Sequence, residues 1–142
     1  MFTLFDADRA ADVFVPAIEP DSVAMAVADF ARDAERVGGR RPVVKRYAPR
    51  DESGYLLVVT VGTDEADRLL EERGLDAGTI AGGWERYAIR TFGEMGENLA
   101  VIGSDPRGTM WGIYHLCEHI LGVDPAWLWT DNEPEPRERI DI

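Results

Sequence analysis

The chain is poor in residues that commonly mark chemistry. It has one cysteine, Cys117, so no internal disulfide can form; that fits a reducing compartment. It has one lysine, Lys45, and two histidines, His115 and His119. No apolar run approaches the roughly 20 residues that cross a bilayer. The opening "MFTLFDADRA" has no basic cluster followed by an apolar stretch, which argues against a secretory signal within this segment. The expected location is cytoplasmic, or secreted if a signal precedes the segment. Positive charge is also short: 15 basic residues face 27 acidic ones, for a net charge of −12. Phosphate polymers are repelled by such a surface, so no nucleic-acid partner is expected, and no membrane partner.

What is present describes one globular domain. Hydrophobic residues make up 45% of the 142. "VFVP" (13–16) reads as a first strand. Asp21 or Ser22 is placed to cap a helix whose apolar stripe is Val23, Val27, Phe30, Ala34 and Val37, with Gly38 and Gly39 as its stop. "PVVKRY" reads as a strand. "YLLVVTVG" (55–62), short and β-branched, reads as a buried central one. Thr63 caps a second helix, with Leu69 and Leu70 turned inward and Gly74 at its end. "WERYAIRTF" alternates like a strand with one polar face, and "GEMGEN" turns it back into "LAVIG" as an antiparallel hairpin. A third helix is expected from about Pro106 to Leu121. The expected fold class is α/β (α+β-like), a mixed sheet with helices packed mainly on one face. The expected organisation is a domain over 1–130 and an acidic, proline-rich linker over 131–142.

The stretch "GSDPRGTMWGIYHLCEH" (103–119) imitates two active sites. Gly103 and Gly108 have the separation of a nucleotide P-loop. Thr109 stands where its lysine belongs, Met110 where its hydroxyl belongs, and Asp105 adds negative charge to the cradle. The structural reading accounts for more. Gly103 ends a strand, Asp105 is an N-cap, Pro106 falls at the first helical position, and Gly108 allows close approach. "HLCEH" matches an inverted zincin signature, with His115 and His119 on one helical face. A third histidine is lacking, and the alternative is an amphipathic helix. Both histidines are set aside as metal ligands, Cys117 reads as a small core residue, and no cofactor is expected.

Four segments carry a family resemblance: "VAMAVADFARDAERVGGRRP", "GTIAGGWERYAIRTF", "LAVIGSDPRGTMWGIYHLCEHILGV" and "PAWLWTDNEPEP". Together they resemble the N-terminal domain of glycoside hydrolase family 115, the xylan α-glucuronidases, over nearly the whole chain. Ser104, Asp105, Arg107, Gly108, Thr109, Gly112, Ile113, Tyr114 and Glu118 stand where that family's third-segment pattern falls. His115, Cys117 and His119 depart from it, replacing aspartate, serine and glutamine; Leu128 replaces an aromatic.

The resemblance implies inverting removal of α-1,2-linked 4-O-methylglucuronic acid from xylan. Such chemistry uses two carboxylates roughly 6.5–9.5 Å apart. In the family they sit on a downstream catalytic barrel, so no catalytic residue is expected here. Two functions follow. One is an ancillary domain packed on that barrel, with Trp127, Trp129 and Arg107 at the domain interface or near substrate. The other is a free-standing module for xylan-derived acidic oligosaccharide, with Trp127 and Trp129 stacking on sugar and Arg107 or Arg137 pairing the uronate. A zinc-dependent hydrolase using the HLCEH helix is a more distant third. Tryptophan exposure separates the two: a barrel interface leaves a contiguous apolar patch around them on the isolated domain.

Overall fold

Val23, Val27, Phe30, Ala34 and Val37 recur every three or four residues, and all are buried. They form the inner face of helix α1 (Asp21–Gly38). The computed structural model describes residues 1–126, 129–130 and 132–142. In chain order the elements are β1 (Thr3–Phe5), β2 (Val13–Phe14), α1, β3 (Val44–Lys45), β4 (Leu56–Thr60), α2 (Asp64–Glu72), β5 (Tyr87–Phe92), β6 (Asn98–Gly103), α3 (Pro106–His115), a π-helical turn (Leu116–Ile120) and β7 (Ile140–Asp141).

Five strands form the main sheet in the order β3-β2-β4-β6-β5. The first four run parallel, and β5 closes the edge antiparallel to β6. Strand β4 is central, and its continuous apolar run has a simple cause: both its faces are covered. Leu56 and Val58 join Val13, Leu99 and Val101 under α1 and α3. Leu57 and Val59 join Phe14, Ala100 and Ile102 on the opposite side, with Leu69 and Leu70 of α2. Helices α1 and α3 thus share one face, and α2 covers the other. The mixed-sheet fold class is as expected from the sequence. Among the described residues no helix is long and apolar enough to cross a membrane.

Three local expectations are corrected. The α1 cap is Pro20, without a side-chain hydrogen bond, and Asp21 is the first helical residue. The Pro20 carbonyl accepts from Val23 and Ala24, while Asp21 complements the helix dipole from inside the first turn. The third helix changes pitch at Leu116, where the Leu121 N–H reaches back five residues to the Leu116 carbonyl at 2.9 Å. Strands β1 and β7 were not expected. They pair antiparallel across almost the full length of the chain. Phe2 and Ile142 exchange backbone hydrogen bonds at 3.0 and 2.8 Å, and Ile140 is buried. The end of the 131–142 stretch therefore packs on the domain.

Candidate functional site

The turn from β6 into α3 is built around Asp105. Its Oδ1 accepts the Gly108 N–H at 2.7 Å and its Oδ2 accepts the Glu85 N–H at 2.9 Å. Those donors, Glu85 first and Gly108 second, hold its carboxyl below the usual aspartate range. Ser104 continues the clasp: its N–H donates to the Arg86 carbonyl at 2.8 Å, and its Oγ accepts the Arg86 N–H at 2.9 Å. A side chain at Gly108 would run into the Arg86 carbonyl, and one at Gly103 into Thr109. Pro106 occupies the first turn of the helix. Where a P-loop opens its amides to phosphate, this turn closes the Gly108 amide on its own carboxylate. Arg107 pairs with Glu85 at 3.1 Å and stays largely exposed.

Every fourth residue from Arg107 falls on one face: Arg107, Trp111, His115, His119. Trp111 is 49% exposed. The Tyr87 hydroxyl lies 3.0 Å from His115 Nδ1. The His115 and His119 rings face each other with centroids 4.6 Å apart. Glu118 approaches His119 no closer than 3.8 Å. Among the described residues no group of three or more His, Cys, Asp or Glu side chains converges to hold a metal.

Trp111, His115 and His119 of this face line one side of a cavity of about 590 Å³ between α1, α3, the π turn and Val123–Pro125. Sequence reading missed it, because its walls are far apart in the chain. Tyr114 donates to Asp29, 85 positions away, at 2.8 Å. Burial, helped by Asp29, pushes the Tyr114 phenol up to about 12. Cys117 lines the floor; burial, with Asp33 beside it, pushes its thiol well up, so it is no thiolate at neutral pH. Arg32 is held by Asp29 at 3.4 Å and Asp33 at 3.1 Å. The one sequence signal was Trp111, a large aromatic on the outer side of an amphipathic helix.

A second cluster, also missed, sits where the sheet order reverses. Strand β2 leads through α1 to β3 on one side, while the chain from β4 returns as β6 on the other. The crevice beyond the carboxyl ends of two such strands is a common ligand position in open α/β sheets. Here a buried carboxylate fills it. Glu19 Oε1 accepts the Thr60 N–H at 2.6 Å, and Oε2 lies 2.7 Å from Thr60 Oγ1. Thr60 Oγ1 is 2.6 Å from Thr109 Oγ1. Burial pushes the Glu19 carboxyl above its usual value.

Trp84 and Trp129 are 83% and 89% exposed. Trp127 lies outside the described residues. The Arg137 guanidinium donates to the Ile120 carbonyl at 3.1 Å, at the end of the π turn.

The fold defines a class: an α/β domain on a largely parallel five-stranded sheet with an antiparallel edge strand. No family model and no curated protein matches the chain. Over 100% of its length, the chain is similar to part of a solved family GH115 4-O-methyl-α-glucuronidase with specificity for decorated arabinogalactans. The TM-score is 0.83, the sequence identity 24%, and the chain spans 17% of that enzyme's chain. The likeness read from the four sequence segments is thus borne out as a likeness of fold.

Proposed function

We propose that the chain is an ancillary, non-catalytic domain of a glycoside hydrolase related to family 115. Its expected partner is a catalytic barrel downstream in the same polypeptide; the segment 131–142, expected as the linker to it, returns to the domain through β7 and would leave the barrel to follow Ile142. The observation that carries the reading is the end-to-end match to a small part of a much longer glucuronidase. The exposed aromatic surface supports it: Trp84 and Trp129 leave apolar area in water that a neighbouring domain would cover. The whole enzyme would release 4-O-methylglucuronic acid from acidic polysaccharide. Xylan is the substrate suggested by the sequence, and the arabinogalactan specificity of the similar enzyme makes that polymer a second candidate. Location follows the whole protein, cytoplasmic or secreted.

The test is the open reading frame beyond Ile142, expressed with and without the present chain. A barrel that is active on glucuronylated polysaccharide and less stable without the chain supports the reading; a frame that encodes no glycosidase overturns it.

A second reading, a binding module for acidic oligosaccharide, is favoured by one observation, the 89% exposure of Trp129. Saturable quenching of tryptophan fluorescence by aldouronic acid, lost in Trp129→Ala, would support it.

A further inference from the structure

We propose that the cavity between α1 and the end of α3 is a receptor for an organic cation, a guanidinium or alkylammonium group. Three features converge on that class. The first is size: about 590 Å³ falls within the roughly 300–1,000 Å³ of small-ligand pockets. The second is the walls. Tyr87, Trp111 and Tyr114 line the space, with Val123 and Pro125 completing it. Aromatic faces carry negative potential and attract cations at close range.

The third is charge. Among the described residues, four carboxylates, of Asp29, Asp33, Glu118 and Asp124, line the cavity against one guanidinium, that of Arg32. Arg32 cannot serve an anionic ligand without breaking its own contacts. Its Nε and Nη2 donate to Asp33 at 3.2 and 3.1 Å, and its Nη1 donates to Asp29 at 3.4 Å. Among the described residues Asp124 accepts neutral donors, the Ala126 N–H and the Asn132 amide. Glu118 has His119 at 3.8 Å. Even with His115 and His119 both protonated, the carboxylates outnumber the cations. A uronate or phosphate therefore meets repulsion there, a neutral polyol gains nothing from the imbalance, and a cation is drawn in. This cavity is distinct in chemistry from a sugar-acid site, and the inference does not depend on the glycosidase reading.

The cation has two sources, a free small molecule or a basic side chain of a polypeptide. Both are tested by titrating the isotope-labelled 142-residue chain at low salt. The probes are methylguanidinium, acetyl-Ala-Arg-Ala-amide, the same tripeptide with neutral citrulline, and glucuronate. The expected result is saturable shifts at Trp111, Tyr114 and His115 with the guanidinium probes, weakened by added salt. The arginine tripeptide should bind about tenfold tighter than its citrulline counterpart. Trp111→Ala should weaken it by a similar factor, and Glu118→Lys should abolish it. Both residues are substantially exposed, so both variants should fold. A tripeptide that binds tighter than methylguanidinium assigns a polypeptide partner; one that binds no tighter assigns a free small cation. Equal binding of arginine and citrulline, preference for glucuronate, unchanged binding in both variants, or no saturable shift overturns the proposal.

Discussion

Asp105 accepts the Gly108 N–H at 2.7 Å, and this one bond fills the N-terminus of α3 with a charge the protein supplies itself. The same carboxylate holds Glu85 through its other oxygen. Asp105→Ala should therefore cost about 1–2 kcal/mol, read from the shift of the urea midpoint. Because the folded carboxyl is depressed, its contribution is present above the ordinary aspartate value. It is lost as pH falls through the lower, folded value. The gap between native chain and variant should narrow on acidification. ATP with magnesium should leave the melting temperature of the native chain unchanged; a clear rise would revive the nucleotide reading.

Glu19 should behave in the opposite way. Its folded carboxyl is raised, so its contribution is fully present below the ordinary glutamate value and is lost as pH rises through the folded value. Glu19→Gln keeps an acceptor for the Thr60 N–H and offers Thr60 Oγ1 an amide donor where Glu19 Oε2 accepts from it. Its stability relative to the native chain should rise between acid and neutral pH, measured by denaturant unfolding at each pH. Glu19→Ala leaves the Thr60 N–H without its partner and should cost about 1–3 kcal/mol. A pH-independent difference between Glu19→Gln and the native chain would contradict this account.

The histidine pair should hold no structural metal. Chain purified without an affinity tag should contain much less than one zinc per molecule by elemental analysis. Stoichiometric zinc that disappears in His115→Ala would restore the zincin reading.

What the sequence showed and what it concealed divide along a physical line. The α1 stripe, the buried run of β4, the Thr63 cap and the hairpin of β5 and β6 depend on neighbours a few residues away, so spacing and turn chemistry reveal them. The Asp105–Pro106 pair marks the start of α3 for the same reason. The β1–β7 pair was hidden because its strands are two or three residues long and meet across the whole chain. The cavity was hidden because Asp29 and Tyr114 meet only after α1 and α3 pack. Glu19 reads as one acid among many until β4 places Thr60 against it. The resemblance across four segments extended further than any single motif, since "GSDPRG" and "HLCEH" taken alone pointed to chemistry that a turn and a helix explain.

Catalysis should be missing from the chain on its own. Incubated with glucuronoxylan, it should release no 4-O-methylglucuronic acid above a heat-killed control. Release would move the acid–base pair into this domain.

The central claim, an ancillary domain that packs on a catalytic partner, is tested most directly by sedimentation velocity. The chain is mixed with the separately produced remainder of its polypeptide. The account predicts a one-to-one complex, weakened about tenfold or more by Trp84→Ala combined with Trp129→Ala, because buried aromatics dominate such interfaces. Two species that sediment independently, with aldouronic acid binding saturably to the chain alone, would contradict it.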